Sequence, residues 1–295
     1  KFADWTQPLI EHFFGIPDVT LPTISYTSSI IIAAPLNWLI DRIPGLNKVN
    51  FSIKGVQKYL GVFGDPMMLG FILGCAMGAL ALFPFDQIFL TGINVAAVMV
   101  LMPKMTAMFV EGLMPISSAA QKFTSEKFGG RALSIGLDAA VVVGNPEVIT
   151  TALIMIPVTI LLAFILPGNR MMPLADLAVV TFRVALVVAL CRGNVFRSIL
   201  ISIPVMAAIL YAGTFAAPFM TEIAQSTGLA FDGQIASMAG PSLTQTAIIF
   251  WSCISENAII VVPALVIAFI AIWYVVEKKI TMEKIEAYAA EYDEM

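Results

Sequence analysis

Apolar residues run along this chain in stretches of about twenty, separated by short polar or basic segments. A stretch of that length without charge matches the thickness of a bilayer core. The pattern predicts spans over residues 66–83, 88–116, 199–219 and 248–276, with a shorter apolar run over 174–190. Two stretches break the pattern from within. Residues 133–166 read as two apolar helical runs interrupted by Gly144, Asn145, Pro146 and Glu147, with Asp138 in the first run. Residues 15–23, GIPDVTLPT, interrupt the apolar stretch 13–40 with Pro17, Pro22, Asp18, Thr20 and Thr23. Non-helical backbone at membrane depth survives only where protein or a water-filled cavity surrounds it. A carboxylate there costs about 3 kcal/mol or more on insertion scales. The two breaks therefore predict a polar pocket inside a membrane protein.

The second half of 133–166 is written as a helix start. Asn145 is a good N-cap, Pro146 suits the first helical position, and Glu147 lies where the dipole favours an anion. Helices that begin at the membrane midplane are a recurring way for transporters to build solute sites. The fold expected is all-α: a polytopic membrane protein with broken helices and a re-entrant hairpin, part of an inverted-repeat transporter.

Composition narrows the class. The chain is 59% hydrophobic and 12% charged, with mean hydropathy +0.91, whereas soluble domains are about a quarter charged. The net charge of −4 comes largely from the end of the chain, so nucleic acid is not an expected partner. Cys75, Cys191 and Cys253 each stand alone in apolar surroundings, and the one histidine is His12. Neither a metal site nor a cofactor is expected, and no phosphate loop or reactive cysteine offers soluble catalytic chemistry. Basic residues collect in 41–64, 117–131, 192–197 and 278–284, which the positive-inside tendency places on the cytoplasmic face. Residues 1–281 are read as the transmembrane region and 282–295 as a polar cytoplasmic tail. Opening at Lys1 without an apolar first segment, the chain reads as the interior of a longer protein.

Eight segments carry a resemblance: GIPDVTLPT (15–23), DRIPGLNKVNF (41–51), FGDPMMLGF (63–71), LMPKM (101–105), KFGG with GLDAAVVVGNPEV (127–130 and 136–148), PGNRMMPLADL (167–177), RGNVFR (192–197) and SMAGPSLTQ (237–245). In this order they resemble the enzyme IIC component of sugar phosphotransferase systems, ascorbate–galactitol superfamily, galactitol type. The resemblance implies a homodimer in the bacterial inner membrane, built from inverted repeats of which the first is not represented here. It implies uptake of a sugar or polyol coupled to phosphorylation by a cytosolic B component, itself phosphorylated on cysteine and served by an A component. In that scheme the protein is the permease subunit, and the phosphoryl donor lies on another chain. Asp18 departs from the pattern, standing where galactitol-type members carry histidine.

The expected solute contacts are Asp18, Thr20, Thr23, Asp138, Asn145 and Glu147. Asp138 either accepts hydrogen bonds from sugar hydroxyls or acts as general base for the attacking hydroxyl; its structural alternative is a carboxylate bonded to a helix terminus. Ser242 and Thr244 are weaker candidates. Arg192 and Arg197, flanking Gly193 and Asn194, are candidate docking residues for the phosphoryl donor. The alternative function is an ion-coupled secondary transporter of a polar solute, with Asp138 and Glu147 as the ion site.

Overall fold

The computed structural model describes residues 2–17, 19–21, 23–27, 29–45, 49, 65–127, 135–136, 139–228 and nine single or short positions between 263 and 288. Most of the expected last span, the segment around Ser242 and Thr244, most of the basic loop 41–64, and Asp18 and Asp138 lie outside these residues.

The described chain is mostly helical, as expected. In order it forms α1 (Phe2–Phe14), β1 (Val19–Thr20), α2 (Ile24–Thr27), α3 (Ser29–Asp41), α4 (Pro66–Leu80), α5 (Phe85–Lys127), β2 (Ile135–Gly136), α6 (Ala140–Val143), α7 (Pro146–Ile165), a 3-10 turn (Leu174–Val179), α8 (Val180–Leu190) and α9 (Val195–Ser226). Three helices among the described residues are long and apolar enough to cross a membrane: α5 over Phe85–Leu113, α7, and α9 over Val195–Pro218.

Three details differ from the pattern reading. The polar stretch after residue 116 is helical as far as Lys127, because Ser, Ala, Gln, Lys and Glu carry the helix on where the apolar run stops. The run 174–190 divides into a 3-10 turn and α8. The first run of 133–166, expected as helix, is instead strand β2 followed by the four-residue α6, and β2 pairs with the first break: β1 lies parallel to it, with Val19 opposite Ile135 and Thr20 opposite Gly136. This short pairing is the one strand structure among the described residues. It lets the two segments satisfy some of each other's backbone groups, which low-dielectric surroundings require.

The core is organised on α8. Nine of its residues, Val180 and Arg183–Leu190, are buried, so it is covered on nearly every side and enclosed by α1, α3, α7 and α9. At 11 residues it is about 16 Å long, half a bilayer core. The one charge within it, Arg183, is buried against Asp176 of the 3-10 turn at 3.6 Å. Breaking such a buried pair from one side costs about 3–5 kcal/mol.

The end of α8 is a tight reversal. Gly193 N–H donates to the Val188 carbonyl (3.0 Å) and Arg192 N–H to the Ala189 carbonyl (2.9 Å), which closes the helix with the two bonds of a Schellman motif. Arg192 at φ 56° occupies the left-handed position usually given to glycine, and Gly193 follows at φ 71°. Asn194 then starts α9, its Oδ1 accepting from Arg197 N–H (3.1 Å).

The α4–α5 hairpin packs by backbone contact. Gly70, Gly74 and Gly78, one turn apart and buried, face α5. A Cβ at Gly74 would lie 2.8 Å from the Thr91 carbonyl oxygen and 2.9 Å from Gly92 Cα. Small residues at this spacing allow helices to meet at their backbones.

Candidate functional site

The break at Gly144–Asn145 builds the site. Asn145 is extended at φ −70°, ψ 132°, and its Oδ1 accepts from Glu147 N–H (2.9 Å) and Val148 N–H (3.2 Å). Pro146 fills the first position of α7, so the N-cap expected from sequence is present. With Oδ1 committed to two backbone donors, Asn145 has only its Nδ2 donors to offer a solute. Gly144 is buried beneath α5, where a Cβ would overlap Thr106 Oγ1 and lie 3.0 Å from the Met102 carbonyl oxygen.

Beside this break lies a cavity of about 430 Å³, within the usual range of about 300–1,000 Å³ for small-molecule sites. The end of α1 gives it Phe13 and Phe14, α5 gives Thr106 and Glu111, and the break gives Gly144 and Asn145. The two phenyl rings meet edge to face, with centroids 4.8 Å apart. Helix α1 stops there because Gly15 takes φ 68°, a conformation that Pro17 two residues on does not extend into helix.

The expected solute residues are thus only partly assembled. Asn145 faces the cavity. Glu147, half-buried, turns towards the Arg192–Gly193 reversal: its Cγ lies 3.6 Å from where a Cβ on Gly193 would stand. Thr20 is buried in the β1–β2 pairing. The Thr23 carbonyl accepts from the N–H groups of Tyr26 (3.1 Å) and Thr27 (3.2 Å) at the start of α2. Neither threonine lines the cavity. Sequence reasoning passed over Glu111 and Thr106; the signal for Glu111 was a carboxylate inside an otherwise apolar stretch.

Arg192 and Arg197 do come together, in a second cavity of about 380 Å³ that also includes Asp41, Cys191 and Tyr288. Arg197 donates to the Asn37 carbonyl (2.7 Å) and is paired with Asp41, which ties α9 to the end of α3. The Arg192 guanidinium lies 4.3 Å above the Tyr288 ring and donates to the Tyr288 carbonyl at 3.4 Å. The Tyr288 hydroxyl donates to the Leu190 carbonyl (2.6 Å) and accepts from Asn37 Nδ2 (3.1 Å). Burial pushes that hydroxyl's pKa above its ordinary value, opposed by the nearby Arg192 charge. The part of the expected tail around Tyr288 is therefore docked on the end of α8.

Known proteins give this geometry its context. The chain is 36% identical over 241 residues to the galactitol-specific EIIC component of Escherichia coli (strain K12), covering 81% of this chain and 53% of that protein. It is 37% identical over 243 residues to a second protein of that strain, named as a permease IIC component, covering 82% of this chain and 56% of the relative. The chain thus spans about half the length of the curated relatives it matches. No solved structure matches it. The model of the PTS system sugar-specific permease component (EIIC-GAT) matches residues 1–234, and with its membrane-length helices the chain belongs to this family of inner-membrane permeases.

Proposed function

We propose that the chain forms part of the membrane component that takes up a galactitol-like polyol while a cytosolic B component phosphorylates it. The cavity beside the start of α7 is the solute pocket in this reading. It is the observation that carries the proposal: aromatic rings, an amide and a carboxylate converge on one space of small-molecule size, in a chain of a sugar-permease family. The substrate class comes from the galactitol-specific relative. In the sequence Asp18 precedes Val19, and Asp138 follows Gly136 by two residues. Pairing of Val19–Thr20 with Ile135–Gly136 supports assigning both carboxylates to the same neighbourhood, together with Thr20 and Thr23.

Asp138 accepts hydrogen bonds from substrate hydroxyls. Arg192 and Arg197, beside Asp41, form the cytoplasmic surface met by the phosphorylated B component, to which an A component passes the phosphoryl group. Both are also held within the chain, Arg197 by Asn37 and Asp41 and Arg192 by Tyr288, and they meet the donor as a pair. The assembly is a homodimer with inverted repeats, broken membrane helices and a re-entrant hairpin at residues 133–166.

The test is the chemical form of labelled galactitol inside vesicles that carry the full protein and are supplied with phosphorylated B component. Galactitol phosphate is expected. Unmodified galactitol accumulated under an ion gradient alone would overturn the proposal in favour of ion-coupled transport. In the same assay Asp138→Asn should weaken binding by about 10-fold or more while bound sugar is still phosphorylated. Unchanged binding with phosphorylation down by about 10²–10⁴-fold would make Asp138 the general base instead.

A further inference from the structure

A polyol presents several hydroxyls, and each brings one proton that needs an acceptor. Among the described residues, the α7 side of the cavity offers a substrate donors rather than acceptors. Asn145 has committed its Oδ1 to the backbone of α7 and keeps only donors. Glu147 is directed towards Gly193 and does not line the cavity.

The opposite wall, α5, carries Glu111 into this space, one turn beyond Ala107 and Thr106. An ionised carboxylate is acceptor-only, with sites for about four hydrogen bonds. Among the described residues it is the one acidic side chain lining the cavity. It stands two residues from the end of the apolar stretch Phe85–Leu113 and is exposed, so its oxygens are open to a polar partner. The Phe13 and Phe14 rings offer faces for the C–H side of a carbon chain.

We propose that Glu111 binds the substrate, accepting hydrogen bonds from polyol hydroxyls across the cavity from the Asn145 amide. The assignment rests on reading this cavity as the solute pocket and adds a residue from α5 to it. Specificity then comes from complementary walls: donors at the α7 break, acceptors on α5, and aromatic rings at the end of α1. A solute lacking hydroxyls opposite Glu111 leaves that carboxylate without partners and is rejected.

The experiment is equilibrium binding of tritiated galactitol to the full protein in membranes, with thermal stability of the unliganded protein measured alongside. Glu111→Gln keeps the shape and should raise Kd by about 10-fold, the scale of a hydrogen bond to a charged group, with unliganded stability unchanged. An unchanged Kd for Glu111→Gln, with Asn145→Ala weakened, would overturn the role of Glu111 and leave the pocket standing. Unchanged Kd in both variants would remove the pocket as well. If Glu111→Gln fails to accumulate, Glu111→Ala is read on the same scale, and unaltered affinity there would refute the assignment. Absence of galactitol binding by the unaltered protein would overturn substrate class and assignment together.

Discussion

Gly144→Ala adds one methyl group at the point where α5 crosses the break before α7. That methyl would overlap Thr106 Oγ1, lie 2.7 Å from Thr106 Cβ and stand 3.0 Å from the Met102 carbonyl oxygen. Real Cβ contacts are almost never this close, and one neighbour is backbone, so α5 has to shift by several tenths of an ångström. Overpacking of this kind costs about 1–3 kcal/mol. For a chain of this size the loss corresponds to a fall in Tm of roughly 2–4 °C per kcal/mol. The second arm is Thr106→Ala, which deletes Oγ1 and the Cγ2 methyl and leaves Cβ in place. In the Gly144→Ala background it should restore part of the loss, with a coupling of at least about 1 kcal/mol, as expected for groups in direct contact. The assay is thermal unfolding of the detergent-solubilised full protein across the four-member cycle, with galactitol uptake measured in parallel. Gly144→Ala indistinguishable from the parent, or strictly additive effects in the double variant, would refute the packing of α5 on the break.

Two further outcomes follow from contacts on the same scaffold. Asn145→Ala should lower stability by about 1 kcal/mol through loss of the N-cap, whereas Asn145→Asp keeps the cap and removes the amide donors. Thermal unfolding should therefore recover in the aspartate variant while galactitol affinity does not. Tyr288→Phe removes the hydroxyl shared by Leu190 and Asn37 and should cost about 1 kcal/mol, leaving the ring beneath Arg192. Because the folded state holds the Tyr288 proton more tightly than the unfolded chain, its contribution is complete below about pH 10 and is lost as pH rises through the raised folded value. The phenylalanine variant should lack that alkaline component in a pH series of thermal unfolding.

The helix starts and long spans were legible because they depend on local signals. Asn145, Pro146 and Glu147 are neighbours in sequence, and the cap they encode is the cap observed. The direction of Glu147 was not legible, since Gly193, which it faces, lies 46 residues away along the chain. Glu111 was passed over for a related reason: it sits in a helix with no break of its own. It joins the cavity through packing distant in sequence, on the stretch of α5 whose Thr106 lies against Gly144. The arginines were grouped correctly by their spacing. Arg197's engagement with Asp41 and Arg192's with Tyr288 join residues 156 and 96 positions apart, which no local pattern encodes. The depth of α8 was hidden too, because an apolar run that is lipid-facing reads the same as one enclosed by other helices.

The glycine contacts between α4 and α5 also bear on how the protein meets bilayers of different thickness. Helix α4 has 15 residues, about 22 Å, while the apolar part of α5 has 29, about 43 Å. Side chains between two helices can slide and re-pack to absorb such a difference, but backbone seated on backbone at Gly74 and Gly92 cannot. The hairpin therefore answers a hydrocarbon core of about 30 Å by tilting as one piece, or by deforming the lipid around it. Since Thr106 and Glu111 ride on α5, a change of tilt moves one wall of the cavity against the other. Reconstitution into lipids of increasing chain length thus becomes a way to adjust the width of the pocket without altering a single residue.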